Sequence, residues 1–370
     1  MLTKYYSLKN ILKINAKYYV IFGERSNGKT FAVIEYMLSN FFEKDERGAI
    51  IRRWADDFKF GRAQKMFDNF INNDDRGNII KKMSKGKYNS VKFRGNAWYF
   101  CHIDEDTKEV DFIDDTPFCY AFALSNVEHD KSTAYPLVTT ILFDEFISRD
   151  YYMVDEFVVF CNALSTIIRN RDNVKVFMCG NTISKFCPYF NEMGLTNFKK
   201  MKKGTIDTYT YGENNQLVVA VEFSDFPAKK KKSDVYFAFN NPKLRMITTG
   251  DWELAIYPHL PYKYVPKNII YMYFIKYDNE LLQCEVIDVN DTLFTYIHRK
   301  TSPIKEDDVH LVYQQEWSPK MNYRRRITKP RTPVEKKIVE FFMRDKVFYQ
   351  DNEVGELVHS YIHWSNTTQV

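Results

Sequence analysis

An α/β fold built on a mostly parallel sheet is what this sequence predicts, and three observations carry it. Short apolar runs alternate with amphipathic segments through the first half of the chain. One run, Tyr18-Tyr19-Val20-Ile21-Phe22, leads through a glycine-bearing turn directly into a helical pattern. Another, Pro136 to Phe143, ends on two adjacent carboxylates, Asp144 and Glu145. Strands and helices that alternate in this way cover both faces of a parallel sheet.

Each element follows from its own pattern. Ala16 to Phe22 is a buried strand because it is apolar and short. Thr30 to Phe42 is a helix, with Phe31, Ile34, Leu38 and Phe41 on one stripe. Ala49-Ile50-Ile51 with Arg52-Arg53 reads as the second strand, and Asp56 to Ile71 as a helix. Val91 to Arg94 and Ala97 to Ile103 are β-like and joined by Gly95-Asn96. Val110 to Ile113, Phe118 to Leu124, Pro136 to Phe143 and Asn173 to Cys179 are further strands, with a helix over Val154 to Ile168. Beyond Asp225 the pattern changes. Ala228-Lys229-Lys230-Lys231-Lys232-Ser233 follows Pro227 and marks a linker. Ile269 to Tyr277, Leu281 to Val289 and Leu293 to Arg299 read as antiparallel strands, with Asp278-Asn279 and Asn290-Asp291 at the turns. Thr332-Pro333-Val334-Glu335 starts a helix with an N-cap, Pro at the first position and a capping-box Glu; it runs to about Arg344. A last helix covers Glu353 to His363. The expected division is residues 1–226, a linker over 227–257, and a C-terminal domain over 258–370.

The turn after the first strand carries the chemistry. Gly23-Glu24-Arg25-Ser26-Asn27-Gly28-Lys29-Thr30 matches G-x-x-x-x-G-K-[ST], in the required strand–turn–helix context. Backbone N–H groups and the helix dipole make this turn an anion cradle. Lys29 is placed to reach the β- and γ-phosphates of ATP, and the Thr30 hydroxyl to hold Mg²⁺. The first domain is thus expected to be a P-loop NTPase of the ASCE/RecA-like kind. The strand ending in Asp144-Glu145 is expected to lie beside the first strand. Asp144 then approaches Mg²⁺ through water, and Glu145 orients and deprotonates the attacking water. That adjacent Glu favours hydrolysis over transfer to a small molecule. Asn181, after the next strand, is a candidate γ-phosphate sensor. Arg25 lies in the loop itself, facing either a phosphate or an acidic neighbour. Arg169 follows a helix, so it is either a cation suited to that helix end or an arginine finger for a neighbouring subunit. Lys131 is either a similar trans residue or an ordinary solvated lysine.

Composition narrows the class. The chain has 370 residues, 27% charged and 45% apolar, with 30 Phe and 26 Tyr, and a formal charge of +5. This is a globular composition whose mild basic excess permits nucleic-acid contact without requiring it. Cys101, Cys119, Cys161, Cys179, Cys187 and Cys284 form no C-x-x-C pair and read as reduced core residues. No signal-peptide pattern opens the chain, and no apolar run approaches the roughly 20 residues of a membrane span. Neither export nor a membrane location is expected.

The sequence resembles the DNA-packaging ATPases of small tailed phages of the phi29 group. The resemblance runs through Val20 to Thr30, Arg52-Arg53, Lys131-Ser132-Thr133-Ala134-Tyr135-Pro136, Ile141 to Ile147, Arg169-Asn170-Arg171, Asn181 and Pro188-Tyr189-Phe190. It thins in the linker and partly recovers near Phe341-Phe342-Met343 and Phe348 to Ile362. The resemblance implies an ATP-hydrolysing motor that drives double-stranded viral DNA into a preformed procapsid. It implies a homopentameric ring docked at the portal vertex, in the host cytoplasm and absent from the mature virion, with Lys131 and Arg169 acting across subunits. It also implies an RNase H-like C-terminal domain without nuclease chemistry. A packaging RNA joins motor to capsid in the family's best-known member; no residue here speaks for or against one. DNA contacts should be mainly to phosphates, with Lys59, Arg62, Lys65, Lys229, Lys230, Lys231 and Lys232 as candidates. The basic linker is equally well read as a solvated run. Two alternatives stay open: another DNA-stimulated ATPase or helicase, and a nuclease-competent terminase using Asp278, Asp288 and Asp291, which are otherwise turn acids.

Overall fold

The first strand, β1 (Tyr18–Gly23), buries every side chain from Tyr19 onward, as a strand covered on both faces must. The computed structural model describes residues 5–126, 134–148, 152–225, 256–261, 263–289 and 292–367. These form two units, one comprising Met1–Ser148, Asp155–Ile183 and Pro188–Asp251, the other Arg149–Val154, Ser184–Cys187 and Trp252–Val370.

In the first unit β1 is followed by α1 (Lys29–Lys44), β2 (Arg47–Arg52), α2 (Phe60–Lys65), α3 (Asp68–Ile71) and α4 (Ile79–Met83). Then come β3 (Ser90–Arg94), β4 (Ala97–Ile103), β5 (Val110–Ile113), β6 (Cys119–Ala123), β7 (Val138–Asp144), α5 (Glu156–Ile168) and β8 (Lys175–Asn181). The unit closes with α6 (Pro188–Glu192), β9 (Thr205–Tyr211) and β10 (Leu217–Ser224). The strands form one ten-stranded sheet in the order β3-β4-β6-β2-β7-β8-β1-β10-β9, with β5 on β4. From β6 to β10 all neighbours are parallel.

The expectation that the acidic strand adjoins β1 is wrong. β8 lies between them, paired with β1 over Tyr18–Gly23 and with β7 over Thr140–Asp144. Val176 to Gly180 of β8 are all buried, as β1 and β7 are, so burial of the faces makes all three central strands without fixing their lateral order.

The single helix expected over Asp56 to Ile71 is also corrected. A 3₁₀ turn (Ala55–Phe58), α2 and α3 replace it. Tertiary hydrogen bonds compete with a continuous helix there. The Ala63 carbonyl accepts the Trp98 indole N–H at 2.9 Å, and Gln64 bonds both ways with β3, at Val91 O and Phe93 N. The β9–β10 hairpin was not anticipated. Its second strand extends the parallel core beyond β1. The core of the unit is aromatic, with Phe100 stacked on Phe118 at 3.9 Å and Tyr19 on Phe177 at 4.8 Å.

The second unit has β11 (Ile269–Tyr277), β12 (Glu280–Val289), β13 (Thr292–Arg299), β14 (Leu311–Gln314) and β15 (Tyr323–Arg324). It then has α7 (Pro333–Met343), β16 (Val347–Tyr349) and α8 (Asn352–Thr367). The sheet order is β15-β14-β11-β12-β13-β16. β11, β12 and β13 are antiparallel, β14 runs parallel to β11, and β15 parallel to β14. Three antiparallel strands are thus followed by two that line up parallel to the first. Asp278 and Asn279 make the tight turn, with φ of 53° and 62°. Thr332 caps α7 by accepting the Glu335 N–H at 3.2 Å. Glu335 reaches back to the Arg331 N–H at 2.6 Å, one residue earlier than a capping box requires. The core packs Tyr273, Leu282, Cys284 and Ile297 against Ile338 of α7 and Val354, Leu357 and Tyr361 of α8.

All six cysteines are free thiols, and five are buried. Among the described residues no helix is long and apolar enough to cross a membrane.

Candidate active site

The loop between β1 and α1 is folded tightly around its own lysine. Gly28 sits at φ 94°, a left-handed conformation where a side chain would be strained, and its missing Cβ leaves room for Tyr5 at 3.2 Å. A Cβ on Gly23 would meet Ser224 Oγ at 2.2 Å. Asn27 is buried. Its amide donates to Ser224 Oγ at 2.9 Å, and its Oδ1 accepts from the Lys29 backbone N–H at 3.2 Å. Arg25 is exposed beside this core.

The Lys29 ammonium is 5% exposed and donates to Glu24 O at 2.7 Å, Asn27 Oδ1 at 3.1 Å, Asn181 Oδ1 at 3.3 Å and Gly23 O at 3.4 Å. These oxygens hold a cation that faces the cradle. Burial lowers its pKa to about 8. This sets a testable pH dependence. A phosphate ligand needs Lys29 charged, so nucleotide affinity should be full below pH 8 and fall as pH rises through it, by about tenfold per unit. Titrating a fluorescent ATP analogue between pH 7 and 10 checks this, and a flat profile would contradict the buried ammonium.

The acidic pair meets the loop from the β7 side. Thr30 Oγ1 donates to Asp144 Oδ1 at 2.6 Å. A hydroxyl and a carboxylate so placed are hard oxygen donors of the kind Mg²⁺ takes. The other Asp144 oxygen accepts from Arg52 Nη2 at 2.5 Å, and Arg52 Nη1 donates to Glu145 Oε2 at 2.7 Å. The Arg52 guanidinium thus bridges both carboxylates. Burial opposes the Arg52 charge, but Asp144 and Glu145 outweigh it and hold its pKa above the ordinary value. Glu145 itself has φ 60°, and its side chain is 63% exposed. A non-glycine residue held left-handed at a strand end is the strain that functional turns carry.

The geometry therefore brings together Gly23 to Thr30, Asp144, Glu145 and Asn181. It keeps Arg169 away. Arg169 ends α5, on the side where β7 and β8 begin: its neighbour Arg171 donates to the carbonyls of Tyr135, Pro136 and Val138. The seven residues of β8 separate that edge from Asn181, about 20 Å at the usual rise per residue. Arg169 and Asn181 thus lie at opposite ends of β8. Arg171 is a structural staple. Lys131 and Lys229 to Lys232 lie outside the described residues. Lys59 and Arg62 are exposed at the start of α2, where Lys59 pairs with Asp56 at 2.9 Å and Arg62 with Asp57 at 4.0 Å. Lys65 ends α2. Among the described residues no cluster of three or more metal-ligating side chains exists, and Asp278 is a turn residue.

Sequence reasoning missed two groups. Ser224 braces Asn27, and the Tyr6 N–H donates to Asn27 O at 2.9 Å while its hydroxyl donates to Glu222 at 2.6 Å. No local pattern marks these contacts. Arg52 and Arg53 were noticed only as part of a strand. Two arginines at the C-terminal end of a parallel strand, where α/β sites form, were the available signal.

The DNA packaging protein of Bacillus phage B103 is 29% identical over 179 residues, 47% of this chain and 47% of that protein. The DNA packaging protein of Bacillus phage phi29 is 25% identical over 189 residues, 50% of this chain and 49% of that protein. The chain spans about half the length of the curated relatives it matches. Among solved structures, the bacteriophage Phi-29 viral genome packaging motor assembly superposes with a TM-score of 0.55 at 19% identity, over 97% of this chain and all of the other. The Phi-28 gp11 DNA packaging motor superposes with a TM-score of 0.51 at 20% identity, over 99% of each chain. At these identities the superpositions establish the fold. Residues 2–363 match the family described as podovirus DNA encapsidation protein (Gp16), and the chain belongs to that family.

Proposed function

We propose that this protein is the ATP-hydrolysing motor that moves double-stranded viral DNA into a procapsid. The observation that carries the reading is the convergence of Lys29, Thr30, Asp144, Glu145 and Asn181 at one end of the sheet. The glycine-rich turn and Lys29 bind the triphosphate, and Asn181 reads its γ-phosphate end. Thr30 and Asp144 would hold Mg²⁺, which would supply positive charge beside the phosphates. Glu145 takes a proton from water as the water oxygen bonds to the γ-phosphorus and the bond to ADP breaks. Arg169, a sheet length from its own site, completes the site of the adjacent subunit in a ring, with Lys131 in a similar role. A homopentameric ring at a portal vertex, as the resemblance implies, would supply that neighbour. DNA is gripped through its phosphates, since a packaging motor accepts any sequence.

The test is ATP-dependent entry of duplex DNA into purified procapsids, scored as nuclease-protected DNA. Wild-type protein should protect DNA, and Arg169→Ala alone should not, although it still binds nucleotide. Adding Glu145→Gln subunits, whose Arg169 is intact, should restore part of the ATP turnover of Arg169→Ala. No complementation under ring-forming conditions would remove the trans role. Strand separation without entry would favour a helicase instead.

A further inference from the structure

We propose that Arg53 is a positioning residue that clamps the turn bearing Glu145 to helix α5, the helix whose far end presents Arg169. This rests on the reading of Glu145 as the base. Arg53 is 6% exposed, and Glu156, in the first turn of α5, is 2% exposed. Arg53 Nε donates to Glu156 Oε2 at 2.8 Å. The rest of its fork serves the turn after β7: Nη2 donates to Phe146 O at 2.9 Å and Nη1 to Glu145 O at 3.4 Å. Tyr189 adds a hydrogen bond from its hydroxyl to Glu156 Oε1 at 2.9 Å. On the other side the Phe146 N–H donates to Cys179 O of β8 at 3.2 Å.

Glu145 is thus left-handed at a turn pinned from both sides, and its backbone is held by a guanidinium whose own position is set by α5. An isolated buried arginine would be costly, and this one is paired and hydrogen-bonded on every side named above. A planar fork can hold a carboxylate and two carbonyls at once, which a lysine ammonium cannot do in the same geometry. The thirteen residues of α5 form a rod of about 20 Å between Glu156 and Arg169. A shift of the Glu145 turn, on nucleotide binding or product release, is therefore passed to the end that serves the adjacent subunit. Arg53 and Glu156 tie the base of one site to the finger of the next.

The experiment uses full-length protein under ring-forming conditions. Glu156→Gln keeps the shape of the side chain but not its charge, and Arg53→Lys keeps the charge but not the fork. Both should lower kcat, by up to about 100-fold for a base displaced by an ångström, with affinity for a fluorescent ATP analogue within about twofold of wild type. Tyr189→Phe, which fits the same aromatic pocket, should show a smaller kcat loss with the same unchanged affinity, and it serves if the others fold poorly. Wild-type kcat in the folded fraction, or kcat and affinity falling together, would overturn the proposal. Coupling is read in mixtures with Arg169→Ala subunits. Glu156→Gln subunits should restore less turnover than Glu145→Gln subunits, and equal restoration would overturn the link to α5. Glu145→Gln alone is the control for the underlying reading: if it is active, Glu145 is not the base; if it is inactive while Glu156→Gln is unimpaired, only the clamp fails.

Discussion

Glu145→Gln should lower ATP turnover by about 10² to 10⁴-fold, the usual contribution of a positioned general base, and leave nucleotide binding within about twofold. The split follows from where the side chain sits. It is 63% exposed and contacts Arg52, whereas Lys29, Asn27 and Thr30 form the cradle without it. Gln keeps the shape and can still accept from Arg52, so the turn at φ 60° should persist. Measuring single-turnover hydrolysis beside equilibrium binding separates the two effects. Turnover within about threefold of wild type would remove Glu145 as the base.

Arg52→Met should destabilise the protein without Mg²⁺ far more than with it. The Asp144 side chain is 5% exposed, is in direct contact with Arg52 and the Thr30 hydroxyl, and also feels the Lys29 charge. Removing one partner of a buried pair strands the other charge, at a cost of about 3 kcal/mol here, the low end of the range because Arg52 is 19% exposed. For a unit of this size that is a fall in melting temperature of about 6 to 12 °C. Among the described residues the Arg52 Nε finds no hydrogen-bond partner, so the contacts that hold this side chain are those to the two carboxylates. A Mg²⁺ ion with a non-hydrolysable ATP analogue supplies the missing charge and should recover most of the loss. Melting in EDTA and in saturating Mg²⁺–analogue checks this. An equal fall in both would mean that Arg52 packs structurally and does not stand in for a metal.

Much of this site was legible because its parts are close in sequence. Gly23, Gly28, Lys29 and Thr30 lie within eight consecutive residues, and their chemistry needs only a strand before and a helix after. Asp144 and Glu145 were legible for the same reason, as polar residues ending an apolar run. The antiparallel strands of the second unit followed from their length and their turn residues. The long helix over 56–71 failed because its hydrogen bonds are contested by Trp98 and β3, over thirty residues away in the case of Trp98. The β9–β10 hairpin escaped because nothing in its local pattern says that it extends a sheet begun at Tyr18.

The sequence by itself determined the phosphate cradle and the acidic strand end, since local backbone geometry and residue type suffice to make them. Only the tertiary structure decided which strands stand side by side. By inserting β8 between β1 and β7 it brought Asn181 to 3.3 Å from Lys29, and by packing β2 against β7 it laid Arg52 across both carboxylates. It also left Arg169 at the far edge from its own site. Lateral strand order is set by contacts across long separations, and neither burial of the faces nor any periodicity within a strand encodes it.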